Sequence, residues 1–318
     1  MTQDTGISGY ELLGIGGAHN DRIGRTTGAH RSGVSNPGNL HATVGGGVVN
    51  ALRNARLRGV VNVAIVSARG GDIDGLAVEK AIADAGIADL SGVFLDRRTA
   101  SYTAILDHDG ELVSGLADMS IYEEALPRQL RRHNVSDAMA SAHCLLIDAN
   151  LPEQALELVA AAHPGPLNAI AVSPAKAPRL FAVADRLGTV FMNRNELAAL
   201  TGAFEHRTAL HTLRKRGIGR AVVTAGADTV AVLDGTRVTK IRVPAITPVR
   251  DVTGAGDALA GATLARLAAD PRLPLTEAVR DGIAAAGLTI QAAGPLAESL
   301  TGPAFEAIRA QTAIVEES

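Results

Sequence analysis

The sequence predicts an α/β protein, in which helices flank a central and mostly parallel β-sheet and a few inserted strands form a small second sheet. Two observations support this prediction. Short apolar runs alternate with helical stretches along most of the 318 residues, as in successive β-α-β units. In residues 92–121, apolar and polar residues instead alternate singly around the turn "DHDGE", which is typical of antiparallel strands.

The first predicted elements are a strand, a polar segment and a helix. The apolar run "YELLGIGGA", residues 10–18, predicts the strand, and a polar segment with several glycines continues to about His41. Strands that end in such segments often hold a ligand. Apolar residues then recur at helical spacing over residues 48–57, with Gly59 as the expected C-cap. The run "VVNVAIVSA" predicts the next buried strand.

The α/β alternation resumes after the inserted segment. Further strands are predicted at "CLLID", "LNAIAV", "GTVFMN" and "RAVVTAG", separated by helical stretches. "GTRVTKIRVPA" predicts another short strand pair, and two helices, residues 254–269 and 275–293, are expected to close the chain. We therefore expect one domain over residues 1–318, with inserted strands at about 22–44 and 92–121 forming a lid.

Composition excludes several classes of function. Hydrophobic residues make up 47% of the chain but aromatic residues only 3%, so aliphatic side chains must build the core. A net charge of −3 provides no basic surface for a nucleic acid polymer or an anionic membrane. No apolar run approaches the roughly 20 residues of a membrane span, and the N-terminus lacks a signal-peptide pattern, so we expect a cytoplasmic protein. The single cysteine, Cys144, is expected to pack in the core.

The segment "RDVTGAGDALAG", residues 250–261, places an acid beside glycines at a predicted helix start. The N–H groups of Gly254, Ala255 and Gly256 would lack intrahelical partners there, which creates an anion site. Asp257 would lie beside a bound phosphate and could accept the proton of a hydroxyl that attacks phosphorus. Taken alone, the pattern is equally consistent with an acid that merely favours a helix N-terminus.

Four ordered motifs resolve this ambiguity: "GGGVVN" at residues 45–50, "NRNE" at 193–196, "TAG" at 224–226 and "DVTGAGD" at 251–257. With them, nearly the whole chain resembles the ribokinase-like (PfkB) carbohydrate kinase family. The resemblance implies a ribokinase-like fold and transfer of phosphate from ATP to a hydroxyl of a small sugar or nucleoside. By analogy with the parent fold, it also implies a homodimer formed through the lid strands.

Further segments resemble the pseudouridine kinase branch of this family. They are "GAHND" at residues 17–21, "SNPG" at 35–38, "TASYTAILDHDGELVSGLADM" at 99–119, "DANL" at 148–151 and "VSPAKAPRL" at 172–180. This resemblance makes the 5′-hydroxyl of pseudouridine the leading acceptor. Ribose, adenosine and 2-keto-3-deoxygluconate are the alternatives, because His19 stands where the branch usually has asparagine.

The resemblance also assigns roles to individual residues. Asp257 would be the catalytic base, beside an anion hole formed by Gly254, Ala255 and Gly256. Eight residues would bind the substrate: His19, Asp21, Gly45, Gly46, Asn50, Tyr102, Thr103 and Asn150. Asn193, Thr224 and Gly226 would bind the nucleotide. Glu196 would hold Mg²⁺ through a water molecule, and Asp251 with nearby carbonyls would hold a monovalent cation such as K⁺.

Simpler interpretations remain open for several of these residues. Asp21 could be a turn residue, Asn50 a helix cap and Glu196 an acid favoured in a first helical turn. Four histidines lack metal-ligand spacing and are expected to face solvent: His108, His133, His163 and His211. Two other classes of protein also remain as rivals, an oxidoreductase suggested by "GIGGAHND", which lacks the full dinucleotide-binding spacing, and a non-catalytic sugar-binding relative.

Overall fold

The structure is a computed structural model in which residues 9–317 are described. These residues form sixteen strands: β1 (Leu12–Ile15), β2 (His19–Thr26), β3 (Gly38–Gly45), β4 (Val63–Val66), β5 (Ala68–Gly70), β6 (Ala88–Asp89), β7 (Gly92–Phe94), β8 (Ser101–Leu106), β9 (Leu112–Asp118), β10 (Leu145–Asp148), β11 (Leu167–Ile170), β12 (Leu187–Asn193), β13 (Arg220–Thr224), β14 (Thr229–Asp234), β15 (Arg237–Arg242) and β16 (Ala313–Glu317).

The same residues form eleven α-helices and one 3₁₀ helix. The α-helices are α1 (Gly47–Leu57), α2 (Ile73–Asp84), α3 (Ser120–Glu124), α4 (Leu126–Leu130), α5 (His133–Ser141), α6 (Glu153–Ala162), α7 (Arg194–Thr201), α8 (His206–Lys215), α9 (Ala255–Ala269), α10 (Leu275–Thr289) and α11 (Pro303–Gln311). The 3₁₀ helix spans Ala177–Arg186.

The central sheet has ten strands in the order β16-β15-β14-β13-β12-β11-β10-β1-β4-β6. The strands from β13 to β6 in this order are parallel, and β14, β15 and β16 continue the sheet antiparallel. Successive residues of a strand face opposite sides of a sheet, so Leu12 and Leu13 of β1 enter two separate cores. The α/β fold with a mostly parallel central sheet and flanking helices is therefore confirmed.

A second sheet of four strands lies beside the central one, in the order β3-β2-β8-β9. β2 begins at His19, four residues after β1 ends, so the predicted polar segment is largely a pair of strands. Within residues 92–121, only β8 and β9 join this second sheet. Gly92–Phe94 pairs instead with Ala68–Gly70 in a separate two-stranded ribbon.

The C-terminal part of the chain differs from the prediction. "GTRVTKIRVPA" contributes the single strand β15, whose partner β14 lies before it in sequence. Helix α10 ends at Thr289 instead of residue 293, and the Ile290 carbonyl accepts hydrogen bonds from the backbone N–H groups of Arg250 and Asp251. Helix α11 and strand β16 were not predicted. Their apolar pattern is short, and the pairing of β16 with β15 is nonlocal.

One of the four histidines expected at the surface is buried. His163 is 3% exposed, and its Nδ1 lies 2.9 Å from the carbonyl oxygen of Met139. Cys144 is half-buried against one core, and burial raises the pKa of its thiol to about 12. Between residues 9 and 317, no helix combines the length and the apolar character needed to cross a membrane.

Candidate active site

The candidate site lies at the carboxyl ends of the central parallel strands. β1 is hydrogen-bonded to β4 on one side and to β10 on the other, and the chain visits these two sides in turn. Such a reversal of strand order opens a crevice where α/β proteins commonly bind ligands. The second sheet begins at the end of β1, so it lies at the same edge as this crevice.

Asp257 lies in the first turn of α9, after Gly254 as the N-cap residue. The Nδ2 atom of Asn50 donates a hydrogen bond to Oδ2 of Asp257 at 3.0 Å. Gly47 lies on the other side, where an added Cβ would be 3.4 Å from Oδ1. The start of α1 therefore brings Asn50 to the acid of "GAGD", although the two residues are 207 positions apart.

The electrostatic surroundings make Asp257 a weak acid. Burial raises the pKa of its carboxyl to about 7, the hydrogen bond from Asn50 opposes this shift, and three other carboxylates add to it: Asp148, Asp21 and Glu196. A carboxylate with a pKa near neutrality holds a proton strongly enough to act as a general base. The Oδ1 atom of Asn50 is buried and has no hydrogen-bond partner among the described residues, so it can accept one from a ligand.

The two glycines of the predicted anion hole have different surroundings. Gly254 has φ of 76°, and a Cβ there would come within 2.7 Å of Pro295. A Cβ on Gly256 would meet nothing within 4 Å, so the first turn of α9 is open at this position. Ala255 donates its N–H to the Val252 carbonyl at 3.4 Å. Two of the three predicted anion-binding N–H groups, those of Gly254 and Gly256, therefore lack a partner among residues 9–317.

Asp21 and its neighbours form a polar group at the start of the second sheet. An added Cβ on Gly45 would lie 1.9 Å from Oδ2 of Asp21, so only glycine fits beside this carboxylate. Gly46 has φ of 118°, and a Cβ there would meet the Gly17 carbonyl at 2.3 Å. His19 is buried, and its Nε2 lies 3.3 Å from Oδ1 of Asp21. The structure thus brings four of the predicted substrate residues together.

The pairing register separates the two predicted residues of β8. Tyr102 is paired with Asp21, whereas Thr103 is paired with Arg22. Because paired residues share a face and successive residues alternate, Tyr102 lies on the Asp21 face and Thr103 on the opposite one. Arg22 on that opposite face forms an ion pair with Asp74 of α2. Thr103 therefore does not join the group around Asp21.

Asn150 belongs to a buried network that the sequence analysis only partly identified. Asp148 accepts hydrogen bonds from Gly17 N–H at 2.9 Å and from the Asn150 side chain at 3.1 Å. Lys176 donates to Oδ1 of Asn150 at 2.6 Å. Burial raises the pKa of Asp148 and lowers that of Lys176. Asp148 ends the predicted strand "CLLID", and a polar residue at a parallel strand end was the available signal.

Two adjoining cavities lie on the other side of Asp257. The larger has a volume of about 460 Å³, and its walls include Thr224 and Gly226 together with the apolar side chains of Val252, Leu259 and Ile283. The smaller, of about 130 Å³, is lined by residues that include Asn193, Glu196 and Asp257. Thr224, Gly256 and Leu259 line both. A largely apolar cavity that opens onto a helix N-terminus suits a nucleobase followed by phosphates.

Asn193 and Glu196 form a capping box at the start of α7. The Asn193 side-chain oxygen accepts from Glu196 N–H at 2.9 Å, and Oε2 of Glu196 accepts from Asn193 N–H at 2.8 Å. Burial raises the pKa of Glu196. The capping role accounts for one oxygen of each side chain. The amide nitrogen of Asn193 and Oε1 of Glu196 remain for a ligand.

Asp251 lies in a turn before α9, where its Oδ1 accepts from Thr253 N–H at 2.9 Å. Its second carboxylate oxygen has no assigned partner within residues 9–317. The nearby Ile290 carbonyl already accepts two backbone N–H groups, from Arg250 and Asp251.

Val172 is a residue of the smaller cavity that the sequence analysis did not identify as functional. It has φ of 67°, a conformation that β-branched residues rarely adopt, and Ser173 N–H donates across it to the Ala171 carbonyl at 2.7 Å. A strained turn that bounds a ligand-sized cavity is typical of functional sites. No local pattern in "IAVSPAK" signals this conformation.

Known proteins share this fold and much of this sequence. The family described as pfkB family carbohydrate kinase matches residues 11–301. The pseudouridine kinase of Escherichia coli (strain K12) is 31% identical in an alignment of 285 residues, which covers 84% of this chain and 86% of that protein. The solved structure of a carbohydrate kinase from Agrobacterium tumefaciens is 42% identical, with a TM-score of 0.81, and covers 96% of this chain and 99% of its own.

More distant relatives share the fold alone. The ribokinase of Arabidopsis thaliana, solved in complex with ribose and ATP, is 20% identical with a TM-score of 0.81, and it covers 95% of this chain and 99% of its own. These likenesses exclude the oxidoreductase interpretation. The protein is a phosphotransferase that acts on a sugar hydroxyl. The chain belongs to the pfkB family of carbohydrate kinases, with a ribokinase-like fold.

Proposed function

We propose that this protein transfers the γ-phosphoryl group of ATP to the 5′-hydroxyl of a ribosyl substrate, with pseudouridine as the leading acceptor. The observation that supports this most strongly is the position of Asp257. Its carboxyl, with a pKa of about 7, lies between the polar group around Asp21 and the apolar cavity beside Gly256. A base at this junction can reach an acceptor hydroxyl on one side and a phosphate on the other.

In the proposed reaction, the acceptor oxygen attacks the γ-phosphorus while the bond from phosphorus to the β,γ-bridging oxygen breaks and ADP leaves. Asp257 takes the proton of the attacking hydroxyl. The open N–H of Gly256 stabilises the negative charge on the transferred group, because it is directed at this position before the reaction begins. Asn50 holds Asp257 through its amide nitrogen, and its Oδ1 accepts a hydrogen bond from a hydroxyl of the substrate.

The substrate is proposed to be a ribosyl compound, because the two carboxylate oxygens of Asp21 can accept hydrogen bonds from two neighbouring hydroxyls of a sugar. The identity of 31% to a pseudouridine kinase supports pseudouridine, and other sugars or nucleosides of the family remain the second candidates. Tyr102, on the same face of the second sheet as Asp21, is placed to contact the acceptor when this sheet closes as a lid and excludes water.

The residues present fit the two cations that the family resemblance implies. Oε1 of Glu196 can hold a water of hydrated Mg²⁺, which binds through few carboxylates and keeps most of its waters. Bound Mg²⁺ would neutralise charge on the phosphates. Asp251, with one oxygen bonded to Thr253, is proposed to bind a monovalent cation through the other.

A screen of acceptors tests the proposal. ADP formation is measured with pseudouridine, uridine, ribose, adenosine and 2-keto-3-deoxygluconate at matched concentrations, with Mg²⁺ and either K⁺ or tetramethylammonium. We expect pseudouridine to give the highest kcat/KM. A different best acceptor would keep the kinase and replace the substrate.

The role of Asp257 is tested with the isosteric variant Asp257→Asn. We expect kcat to fall at least about 10³-fold with an unchanged circular dichroism spectrum, since removing the base leaves only the positioning and electrostatic contributions. In the wild type, kcat/KM should rise with pH and level off above an apparent pKa of about 7. Full turnover by Asp257→Asn would show that another group is the base.

A further inference from the structure

A fully buried tyrosine is bonded to the backbone just before Asp21. Tyr122 of α3 is 0% exposed, and its hydroxyl oxygen accepts from Ala18 N–H at 3.0 Å and lies 3.0 Å from the Ala18 carbonyl, to which it can donate. The same oxygen is 3.3 Å from Nδ1 of His19. Burial raises the pKa of Tyr122, so the hydroxyl keeps its proton. A distant helix thus fixes both the backbone at Ala18 and the ring of His19.

Which ring nitrogen of His19 carries the proton determines whether Nε2 faces Asp21 with an N–H group or with a lone pair. If Tyr122 donates to Nδ1, the neutral ring carries its proton on Nε2. If Tyr122 instead donates to the Ala18 carbonyl, the neutral ring carries its proton on Nδ1 and turns the lone pair of Nε2 toward the Asp21 carboxylate. The first arrangement is favoured, because Nε2 lies 3.3 Å from Oδ1 of Asp21 and a proton on Nε2 then faces the carboxylate in place of a lone pair.

The two oxygens of Asp21 are therefore held by different neighbours. Oδ1 faces Nε2 of His19, and Oδ2 lies over Gly45, where no side chain fits. A short carboxylate held in this way presents its remaining lone pairs in fixed directions. An unheld carboxylate would have to be ordered when the acceptor binds, which weakens binding.

We infer that His19 is a positioning residue, clamped by Tyr122, which orients Asp21 for the acceptor hydroxyls. The inference deepens the proposed function and rests on it, because it requires Asp21 to bind the acceptor. The sequence analysis placed His19 among the substrate-binding residues. In the structure, both of its ring nitrogens are occupied by protein partners, so it acts through Asp21.

Two amide variants separate the two nitrogens of His19. The amide nitrogen of glutamine reaches the position of Nε2, whereas that of asparagine reaches only the position of Nδ1. His19→Gln therefore keeps the donor to Asp21, and His19→Asn removes it. We expect His19→Asn to raise the KM of the acceptor about tenfold, the effect of losing a hydrogen bond to a charged group, with kcat and the KM of ATP changed less than about twofold. His19→Gln should stay within about threefold of the wild type.

Tyr122→Phe tests the clamp. In the His19 background it should raise the KM of the acceptor several-fold, because the ring loses its partner at Nδ1. In the His19→Gln background it should have little further effect, since the glutamine amide does not depend on the tyrosine. Non-additivity of this kind identifies residues that act on one another. Thermal unfolding of every variant shows whether the changes in KM follow a general loss of stability.

The results distinguish the inference from the proposed function. If the wild-type protein neither binds a ribosyl acceptor by calorimetry nor phosphorylates one, the proposed function is wrong. If the wild type is active and Asp21→Asn abolishes acceptor binding, the function stands. The inference is then overturned if His19→Gln is as impaired as His19→Asn, if both variants lower kcat and affect the KM of ATP equally, or if Tyr122→Phe has the same effect in both backgrounds.

Discussion

Gly254 and Gly256 show why two glycines in one motif need not have the same purpose. Gly254 is required by its positive φ and by contact with Pro295, whereas Gly256 leaves space where the nucleotide phosphate is proposed to lie. The first glycine is thus explained by the fold and the second only by a ligand. This difference can be measured, because alanine at the two positions should affect different properties.

We predict that Gly256→Ala keeps the unfolding temperature of the free protein but lowers kcat/KM for ATP about 10²-fold, because the added methyl group occupies the phosphate position and displaces the group from its donor. Gly254→Ala is the matched control. It should lower the free energy of unfolding by about 1–3 kcal/mol through backbone strain and contact with Pro295. Unimpaired use of ATP by Gly256→Ala would place the phosphates elsewhere.

The raised pKa of Asp257 has a consequence for stability. The folded protein keeps this proton up to a pH of about 7, whereas the ordinary pKa of the group is 3.8, so the folded state binds more protons between these values. Its contribution to stability therefore falls as the pH rises from about 4 to 7 and stays unfavourable above.

We predict that Asp257→Asn removes this cost and raises the free energy of unfolding at pH 8 by about 1–3 kcal/mol, less than the full shift implies because the carboxylate is only half-buried. At pH 4 the gain should be close to zero. Urea unfolding at both pH values, without nucleotide, provides the measurement. An equal gain at both would show that the charge of Asp257 is not the cause.

At the scale of elements, the crossing of α1 and α9 assembles the reactive pair. A Cβ on Gly261 would lie 2.1 Å from the Ala51 carbonyl, so the two helices approach through a bare backbone. Gly261 is one turn after Asp257, and Ala51 directly follows Asn50. The distance between the helices therefore controls the hydrogen bond from Asn50 to Asp257.

Gly261→Ala should push these helices apart and lower the free energy of unfolding by about 2 kcal/mol. Because the Asn50 hydrogen bond lowers the pKa of Asp257, its weakening should also move the midpoint of the pH–rate profile upward. Gly282→Ala is the control, since it crowds Leu259 and Thr263 between α9 and α10. We expect it to destabilise the protein without moving the midpoint. If the pH–rate profiles of Gly261→Ala and Gly282→Ala had the same midpoint, the crossing of α1 and α9 would not be what controls the pKa of Asp257.

The "NRNE" motif illustrates how far a local pattern can be interpreted. The sequence left open whether Glu196 binds a ligand or only favours a helix start, and the structure shows a capping box that uses one oxygen of the side chain. Glu196 also lines the cavity beside Asp257, next to the proposed phosphate site. A capping box and a ligand site are therefore compatible in one residue pair.

At the scale of the whole molecule, the second sheet leaves part of one face uncovered. Leu40 and Leu116 are 63% and 72% exposed, and their pairing places them on the face opposite Asp21. The inner end of this face is held to α2 by Arg22 and Asp74. We propose that a second copy of the chain covers the outer end, as the resemblance to the family implies.

The prediction is that light scattering gives the mass of a dimer for the wild type and of a monomer for the double variant Leu40→Glu, Leu116→Glu, because charges in an apolar interface would be left unpaired. Phe204→Glu, at a still more exposed apolar site outside the second sheet, should remain a dimer. A monomeric wild type at micromolar concentration would contradict the proposal.

Periodicity and spacing within a few residues are enough to predict the α/β class, most strands of the central sheet and the four motifs, because each of these features is local. The family resemblance also predicts that Asp257, Asn50 and Asp21 belong to one site. Three relations at the site depend on tertiary packing: Asn50 touches Asp257, Thr103 faces away from Asp21, and Tyr122 holds His19. These relations join residues about 80 to 207 positions apart. Strand register, helix crossings and burial fix them, and no local pattern records such contacts.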